Sequence, residues 1–239
     1  MNNLKIESHG LTLVDQVEIK LLEFLKENKI NVGDSIPKEQ DLAISLGVAR
    51  SVLREALSRL KMVGMIESRT RRGMILCEPS LLTGLKLAAN PYILGEDKVF
   101  DILDLRVAIE IGISSDILYH ITNEDIKELE QIVKVGEVFE NNEYTPTSEF
   151  SFHAKLYRIS KNNTILEFQE IIHPVMDFVK HKFKDLIAPI NIELKSKGLI
   201  VTHQDLLELL RDHKEEEFKK AIEKHFAVYK LLEQRKNIL

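Results

Sequence analysis

Tryptophan is absent from this sequence, and cysteine occurs once, at Cys77. A lone thiol excludes an internal disulfide and fits a reducing compartment, so a cytoplasmic protein is expected. Prolines (6) and glycines (10) are few for 239 residues, which disfavours turn-rich β architectures and leans towards helix. No run of about 18 apolar residues occurs, so no membrane-spanning helix is expected. The opening Met1-Asn2-Asn3-Leu4-Lys5 lacks the apolar block of a secretory signal.

What is present suits two cores, a small one and a larger one. Apolar residues make up 44% of the chain and charged residues 30%. The net charge of −5 is unevenly spread. Between Ala49 and Gly73 stand 7 bases (Arg50, Arg54, Arg59, Lys61, Arg69, Arg71 and Arg72) against 2 acids, Glu55 and Glu67. From Pro79 onward there are 21 bases and 27 acids. A basic island on an acidic body turns one face towards phosphate.

That island has internal order. Leu13, Val17, Leu21, Leu22 and Leu25 recur at helical spacing, which predicts a helix over about 12–29. Gly33-Asp34 turns the chain, and Pro37 opens a short helix to about Leu46. Gly47 supplies a tight turn into a third helix, about 49–63, whose buried stripe is Leu53, Ala56, Leu57 and Leu60. Met65-Ile66-Glu67 and Met74-Ile75-Leu76 read as two short strands around a basic loop. Two helices about a tight turn, followed by a basic hairpin, make a winged helix-turn-helix.

In such a head Arg50 and Arg54 share one face near the start of the third helix, where arginine reaches guanine O6 and N7. Lys38, Gln40 and Ser51 are placed for phosphates or adjacent base edges. Arg71, Arg72 and Gly73 lie along a flanking groove. The plainer alternative is that these arginines solvate a helix and pair with Glu55. Double-stranded DNA is the expected partner. A single small head makes few base contacts, so a homodimer on a near-palindromic operator is expected.

Residues 78–97 hold Pro79, Gly84, Pro91 and Gly95 and read as a linker with a short helix near 80–90. Helical patterns then follow over about 98–120, 123–141, 147–160, 164–187, 193–211 and 214–236, with a break placed at Pro189. The expectation is a mainly α protein: a winged helix-turn-helix at 1–77, a linker at 78–97 and an all-α bundle at 98–239.

In the bundle, polar residues stand where leucines are expected. Glu149 and His153 share a stripe with Phe152 and Leu156; His203 lies among Leu199, Leu206 and Leu210; His225 lies among Phe218, Ile222, Tyr229 and Leu232. Groups of this kind are costly to bury without partners. Each histidine alone reads as a hydrogen-bonded core residue. Together they fit a divalent metal, for which imidazole nitrogen and carboxylate oxygen are ligands.

The motifs Ile36-Pro37-x-Glu39, Leu42-Ala43, Leu46-Gly47-Val48-x-Arg50, Val52-Leu53-Arg54-Glu55-Ala56-Leu57, Gly64-Met65-Ile66 and Arg72-Gly73 closely resemble the DNA-binding domain of GntR-type bacterial transcription regulators. Two positions depart: the family usually carries Ser or Thr at Ala49 and Ser at Lys38. Residues from about Val99 to Tyr229 resemble the helical effector domain of the FadR branch, through Asp104-Leu105-Arg106 with Glu110, Glu149-x-x-Phe152-His153, Asn162, and the His203 to His225 spacing. The resemblance implies Glu149, His153, His203 and His225 as ligands of a divalent metal: zinc first, nickel or manganese as alternatives. It also implies Arg106 facing a cavity and binding the carboxylate of a small organic or sugar-acid effector, although an intrahelical Arg106–Glu110 pair is equally open. The function expected is a ligand-controlled transcriptional regulator, a repressor. The alternative is a metal-dependent hydrolase using the same Glu/His set, and a metal-free helical binding module is a third reading.

Overall fold

The computed structural model describes residues 10–136 and 146–236. The chain divides into two compact units, residues 1–84 and 85–239, and the division falls inside the stretch read as a linker.

The first unit has the order α1 (Leu13–Glu27), β1 (Ser35–Ile36), α2 (Glu39–Leu46), α3 (Arg50–Met62), β2 (Ile66–Arg69) and β3 (Gly73–Leu76). Thr12 starts α1 with a capping box: its hydroxyl accepts from the Asp15 amide, and the Asp15 carboxylate accepts from the Thr12 amide. Residues 35–36 form a third, edge strand that periodicity did not predict. Two residues are too short to show alternation. The sheet order is β1-β3-β2, antiparallel throughout, with Ile36 opposite Met74 and Arg69 opposite Gly73. Val17, Leu21 and Leu25 of α1, Leu42 and Ala43 of α2, and Leu53, Ala56, Leu57 and Leu60 of α3 close one core with Ile36, Ile66 and Met74.

Helix α2 ends in a Schellman turn. Gly47 has φ +64°, its amide donates to the Ile44 carbonyl, and the Val48 amide donates to the Ala43 carbonyl. A left-handed residue there lets the chain reverse in three residues and start α3 at Arg50.

The second unit is all helical among the described residues, apart from its connections. Helix α4 (Thr83–Ala88) begins at the end of the first unit. Then come α5 (Glu96–Gly112), α6 (Ser114–His120), α7 (Asn123–Val135), α8 (Pro146–Ile159), α9 (Asn163–Lys182), α10 (Lys184–Ser196), α11 (His203–Arg211), α12 (Glu215–His225) and α13 (Ala227–Lys236). Residues 137–141, the end of one expected helix, lie outside the described residues. Phe152, Leu156 and Tyr157 of α8, Leu206, Leu207 and Leu210 of α11, and Phe218 and Ile222 of α12 form the largest part of its core.

Four boundaries differ from the sequence reading. The helix expected over 98–120 breaks at Ile113, next to the poor helix former Gly112. The break expected at Pro189 is not there: Pro189 lies inside α10, and the chain breaks instead at Phe183 (φ −109°). Pro189 is the sixth residue of α10 and forgoes the bond its nitrogen would donate to the Asp185 carbonyl, but buried Ile187, Ile190 and Leu194 hold the helix against its neighbours. The helix expected over 193–211 is two helices, separated by a loop that contains Gly198 at φ +65°. The last helix breaks at Phe226, so Tyr229 and Leu232 belong to α13 rather than to the His225 stripe. Leu199, read as part of the His203 stripe, is exposed in that loop.

Leu53 is 0% exposed in the centre of the small core. Leu53→Ala is expected to destabilise the first unit by about 2–5 kcal/mol, the usual penalty of such a cavity. Urea denaturation followed by circular dichroism measures it, and an unchanged midpoint would contradict the packing described.

Candidate functional site

The residues read as DNA contacts, Lys38, Gln40, Arg50, Ser51, Arg54, Arg71, Arg72 and Gly73, are all exposed on the first unit. Lys38 is the N-cap of α2 and Ala49 the N-cap of α3, and neither makes a side-chain cap bond. Both helix starts therefore leave backbone N–H groups facing outward, where an anion is favoured. Arg50 makes no ion pair among the described residues; the pairing with Glu55 comes instead from Arg59, at 3.5 Å. Arg54 Nε donates to Glu39 Oε2 at 2.9 Å. That bond steadies the guanidinium and leaves its two Nη groups for a base edge. Glu39 is a contributor that sequence reasoning missed, because it sits 15 residues away on another helix. In the wing, Gly73 has φ +73°, which closes the β2–β3 loop that carries Arg71 and Arg72.

The second unit buries the other constellation. Glu149 and His153 are one turn apart on α8 and share a face. His203 is the first residue of α11, set there by the Thr202–Asp205 capping box (Thr202 amide to Asp205 Oδ2, 2.7 Å). His225 is the last residue of α12. The short turn after Arg211 folds α12 back on α11, so the start of one helix comes level with the end of the other. The imidazole centroids lie 4.9 Å apart for His203–His225 and 5.3 Å for His153 with each of the others. Each of the four residues offers a ligand atom, all within 4.8 Å of one another.

Around this set, Glu110 of α5 is the anchor. Its Oε2 accepts from His153 Nδ1 at 2.7 Å, and its Oε1 accepts from Arg106 Nε at 2.8 Å and from the Tyr157 hydroxyl at 3.0 Å. The intrahelical Arg106–Glu110 pair is therefore present. Arg106 also sends Nη2 to Glu149 Oε1 at 3.1 Å, lies 4.4 Å from the Phe226 ring centroid, and lines a cavity beside the cluster. His225 Nδ1 lies 2.8 Å from the Val201 carbonyl, which can only accept, so that nitrogen carries the proton.

Those two bonds fix tautomers. With Nδ1–H spent on Glu110 or on a carbonyl, His153 and His225 each keep an Nε2 lone pair for a ligand. His153 Nε2 is fully buried and makes no hydrogen bond; it sits 3.4 Å from Glu149 Oε1, which as a carboxylate oxygen cannot donate to it. Burial pushes His153 down from its ordinary value and brings His203 and His225 to about 4, so all three are neutral near pH 7. Burial opposes the charge on Glu110, but His153 and Arg106 hold its carboxyl at about 2. Burial likewise opposes Glu149, and Lys180, the neighbouring imidazoles and Arg106 hold it well below the usual carboxylate range. One guanidinium thus bridges two carboxylates, and Lys180 adds its charge to Glu149. Three neutral imidazoles and a carboxylate fit a divalent cation.

Together, fold and sites define a DNA-binding transcriptional regulator: a winged helix-turn-helix head followed by a helical domain with a buried His/Glu centre. Residues 13–76 match the bacterial regulatory proteins of the gntR family, and residues 101–228 match the FCD domain. The chain belongs to the GntR family of bacterial regulators, in the group that carries an FCD domain. It is 28% identical over 172 residues to the uncharacterized HTH-type transcriptional regulator YcbG of Bacillus subtilis, covering 70% of each chain. It is 29% identical over 142 residues to the HTH-type transcriptional regulator LutR of the same organism, covering 59% of this chain and 65% of LutR. A solved structure of Streptococcus agalactiae GntR shares the fold at 22% identity and a TM-score of 0.53, over 90% of this chain and 98% of that one. The family matched and the relatives named are regulators, which sets aside the hydrolase reading.

Two outcomes test the geometry. Arg50→Ala is expected to weaken binding to a specific operator by about 1–3 kcal/mol while leaving the fold intact; fluorescence anisotropy against specific and scrambled duplexes measures it, and unchanged discrimination contradicts the groove assignment. The second outcome is pH-dependent. In chelator-treated protein, His203 and His225 bind protons near the ordinary 6.5 when unfolded but near about 4 when folded. The unfolded state takes up more protons between those values, so stability is complete above the interval and is lost as pH falls through it. Thermal midpoints in EDTA should drop across that interval; a flat profile would contradict buried neutral imidazoles.

Proposed function

We propose that this regulator is a metal-dependent, acid-responsive repressor. Two copies bind a near-palindromic operator, each reading a half-site with Arg50 and Arg54 in the major groove, Lys38, Gln40 and Ser51 on phosphates or adjacent edges, and Arg71, Arg72 and Gly73 along the flanking groove. Glu149, His153, His203 and His225 would hold a divalent ion, zinc first with nickel or manganese as alternatives. Bound there, the ion supplies a Lewis-acidic centre that attracts a carboxylate. The observation that carries the reading is the buried Glu/His set with His153 Nε2 left unbonded and Glu110 fixing its tautomer.

The chain's own residues set the rest. Glu110 and the Val201 carbonyl orient the imidazoles, and Arg106, shared between Glu110 and Glu149, keeps both carboxylates ionised. Arg106 also faces the adjacent cavity, where its guanidinium offers a planar contact to an organic-acid or sugar-acid effector. An effector controls the operator only through a difference in affinity between two arrangements of the dimer. A dimer seated on a promoter in the cytoplasm excludes polymerase, and effector binding releases it.

Removing one ligand tests the centre. His203→Ala is expected to weaken metal binding by at least about tenfold and to abolish the rise in thermal midpoint that added metal gives the wild type. Chelator competition and differential scanning fluorimetry read the two effects. A variant that binds metal as the wild type does would remove His203 from the set. Operator release by candidate acids, with and without chelator, tests the control: release that is indifferent to metal removal contradicts the reading.

A further inference from the structure

The DNA-reading head carries an acid where a duplex would favour none. Glu39, the first residue of α2, stands in the field of Arg54, Lys61 and Arg50. The bond from Arg54 above all, and then the charges of these three bases, hold its carboxyl below the ordinary range, while burial works against them. Neutralising phosphates supplies much of any protein's affinity for a duplex. A carboxylate that cancels a groove arginine therefore lowers that affinity. Folding stability does not account for it. The Arg54 side chain is 61% exposed, and an ion pair that open contributes little.

The geometry of the bond gives the carboxylate another use. Three arginines of the head pair with acids. Arg59 commits Nη1 to Asp15 and Nη2 to Glu55, and Arg69 commits Nε and Nη2 to Glu67. Arg54 donates through Nε alone, at 2.9 Å, and its two Nη groups have no partner among the described residues. Those two groups form the fork that meets guanine O6 and N7. Glu39 thus grips the guanidinium by its side and leaves the fork open. The grip crosses the helix-turn-helix from α2 to α3, so the aim of Arg54 is tied to both helices.

We propose that Glu39 is the positioning residue for Arg54: it fixes the guanidinium for one base pair, at a cost in general affinity for the duplex. The inference rests on the reading of Arg54 as a groove contact and names the residue that sets its specificity. Without Glu39 the arginine is free to change rotamer, and its charge serves the nearest phosphate, which carries no sequence information. Specific and non-specific binding should then respond in opposite directions to the loss of one carboxylate.

The test starts from the duplex that the full-length protein selects out of a random library. Each base pair of it is exchanged in turn, and fluorescence anisotropy measures affinity for every exchange and for a scrambled duplex over a range of salt. Arg54→Ala identifies the pair that Arg54 reads, by losing about tenfold of discrimination there. Glu39→Ala should lose about fivefold or more at the same pair. It should also bind the scrambled duplex about threefold more tightly, with a salt slope steeper by about one. Glu39→Gln keeps an oxygen acceptor for Nε without the charge. It should bind the scrambled duplex more tightly too, yet retain most of the discrimination. In an Arg54→Ala background, Glu39→Ala should change no discrimination further. A merely structural role for Glu39 would weaken all duplexes alike, and overturns the proposal; circular dichroism confirms that each variant is folded. If Arg54→Ala loses a base pair that Glu39→Ala keeps, the positioning role is overturned while the groove reading of Arg54 stands. Loss of discrimination at a different pair in Glu39→Ala makes Glu39 a base contact in its own right and overturns it as well. If Arg54→Ala alters no pair, or the wild type selects no sequence, both readings fall together.

Discussion

Glu110 is the residue on which the helical domain's chemistry depends. A carboxylate this deeply buried survives ionised only if donors surround it. Here a guanidinium, an imidazole N–H and a phenol all converge on it. The arrangement has two consequences. It holds His153 in a single tautomer with its other nitrogen turned towards Glu149. It also sets Arg106 between two carboxylates, with the charge of Lys180 reaching Glu149 as well. Among the described residues, His153 Nε2 is left without a protein partner in this core, and a cation would give it one. Stability and ligand chemistry are then the same question in this domain, because whatever binds at the centre contributes to folding.

The DNA-reading head uses a simpler device. Its core is apolar and small, and Arg50 and Arg54 stand exposed on the outer face of α3, while Arg59 of the same helix is paired with Asp15, Glu18 and Glu55. Glu39 reaches Arg54 and fixes its guanidinium without consuming its Nη groups. Ala49 and Lys38 at the two helix starts leave backbone donors open. A phosphate can satisfy those donors where a side-chain cap would compete with it.

Much of this was legible in the sequence, for identifiable reasons. The turn at Gly47 and the stripe Leu53, Ala56, Leu57 and Leu60 are local patterns, and local patterns determined the head. Glu149 and His153 were legible because helical spacing puts them on one face. His203 and His225 stood out as polar residues among leucines, and the α11–α12 turn brings them together. The Arg106–Glu110 pair was legible from its spacing, but the bonds of Glu110 to His153, of Tyr157 to Glu110 and of the Val201 carbonyl to His225 were not, because each spans 24 to 47 positions. Helix ends also escaped. Pro189 looked like a break and lies inside a helix, while Ile113, Phe183 and Phe226 carry no breaker signal of their own and end helices where packing redirects the chain. The edge strand at 35–36 was too short for any periodicity to show.

The claim at the centre of the account is that the Glu/His set holds an ion. Elemental analysis of protein purified without a histidine tag, dialysed against metal-free buffer, tests it most directly. The account expects close to one tightly held divalent ion per chain. Protein that carries none, and takes up none when zinc, nickel or manganese is supplied, would contradict it.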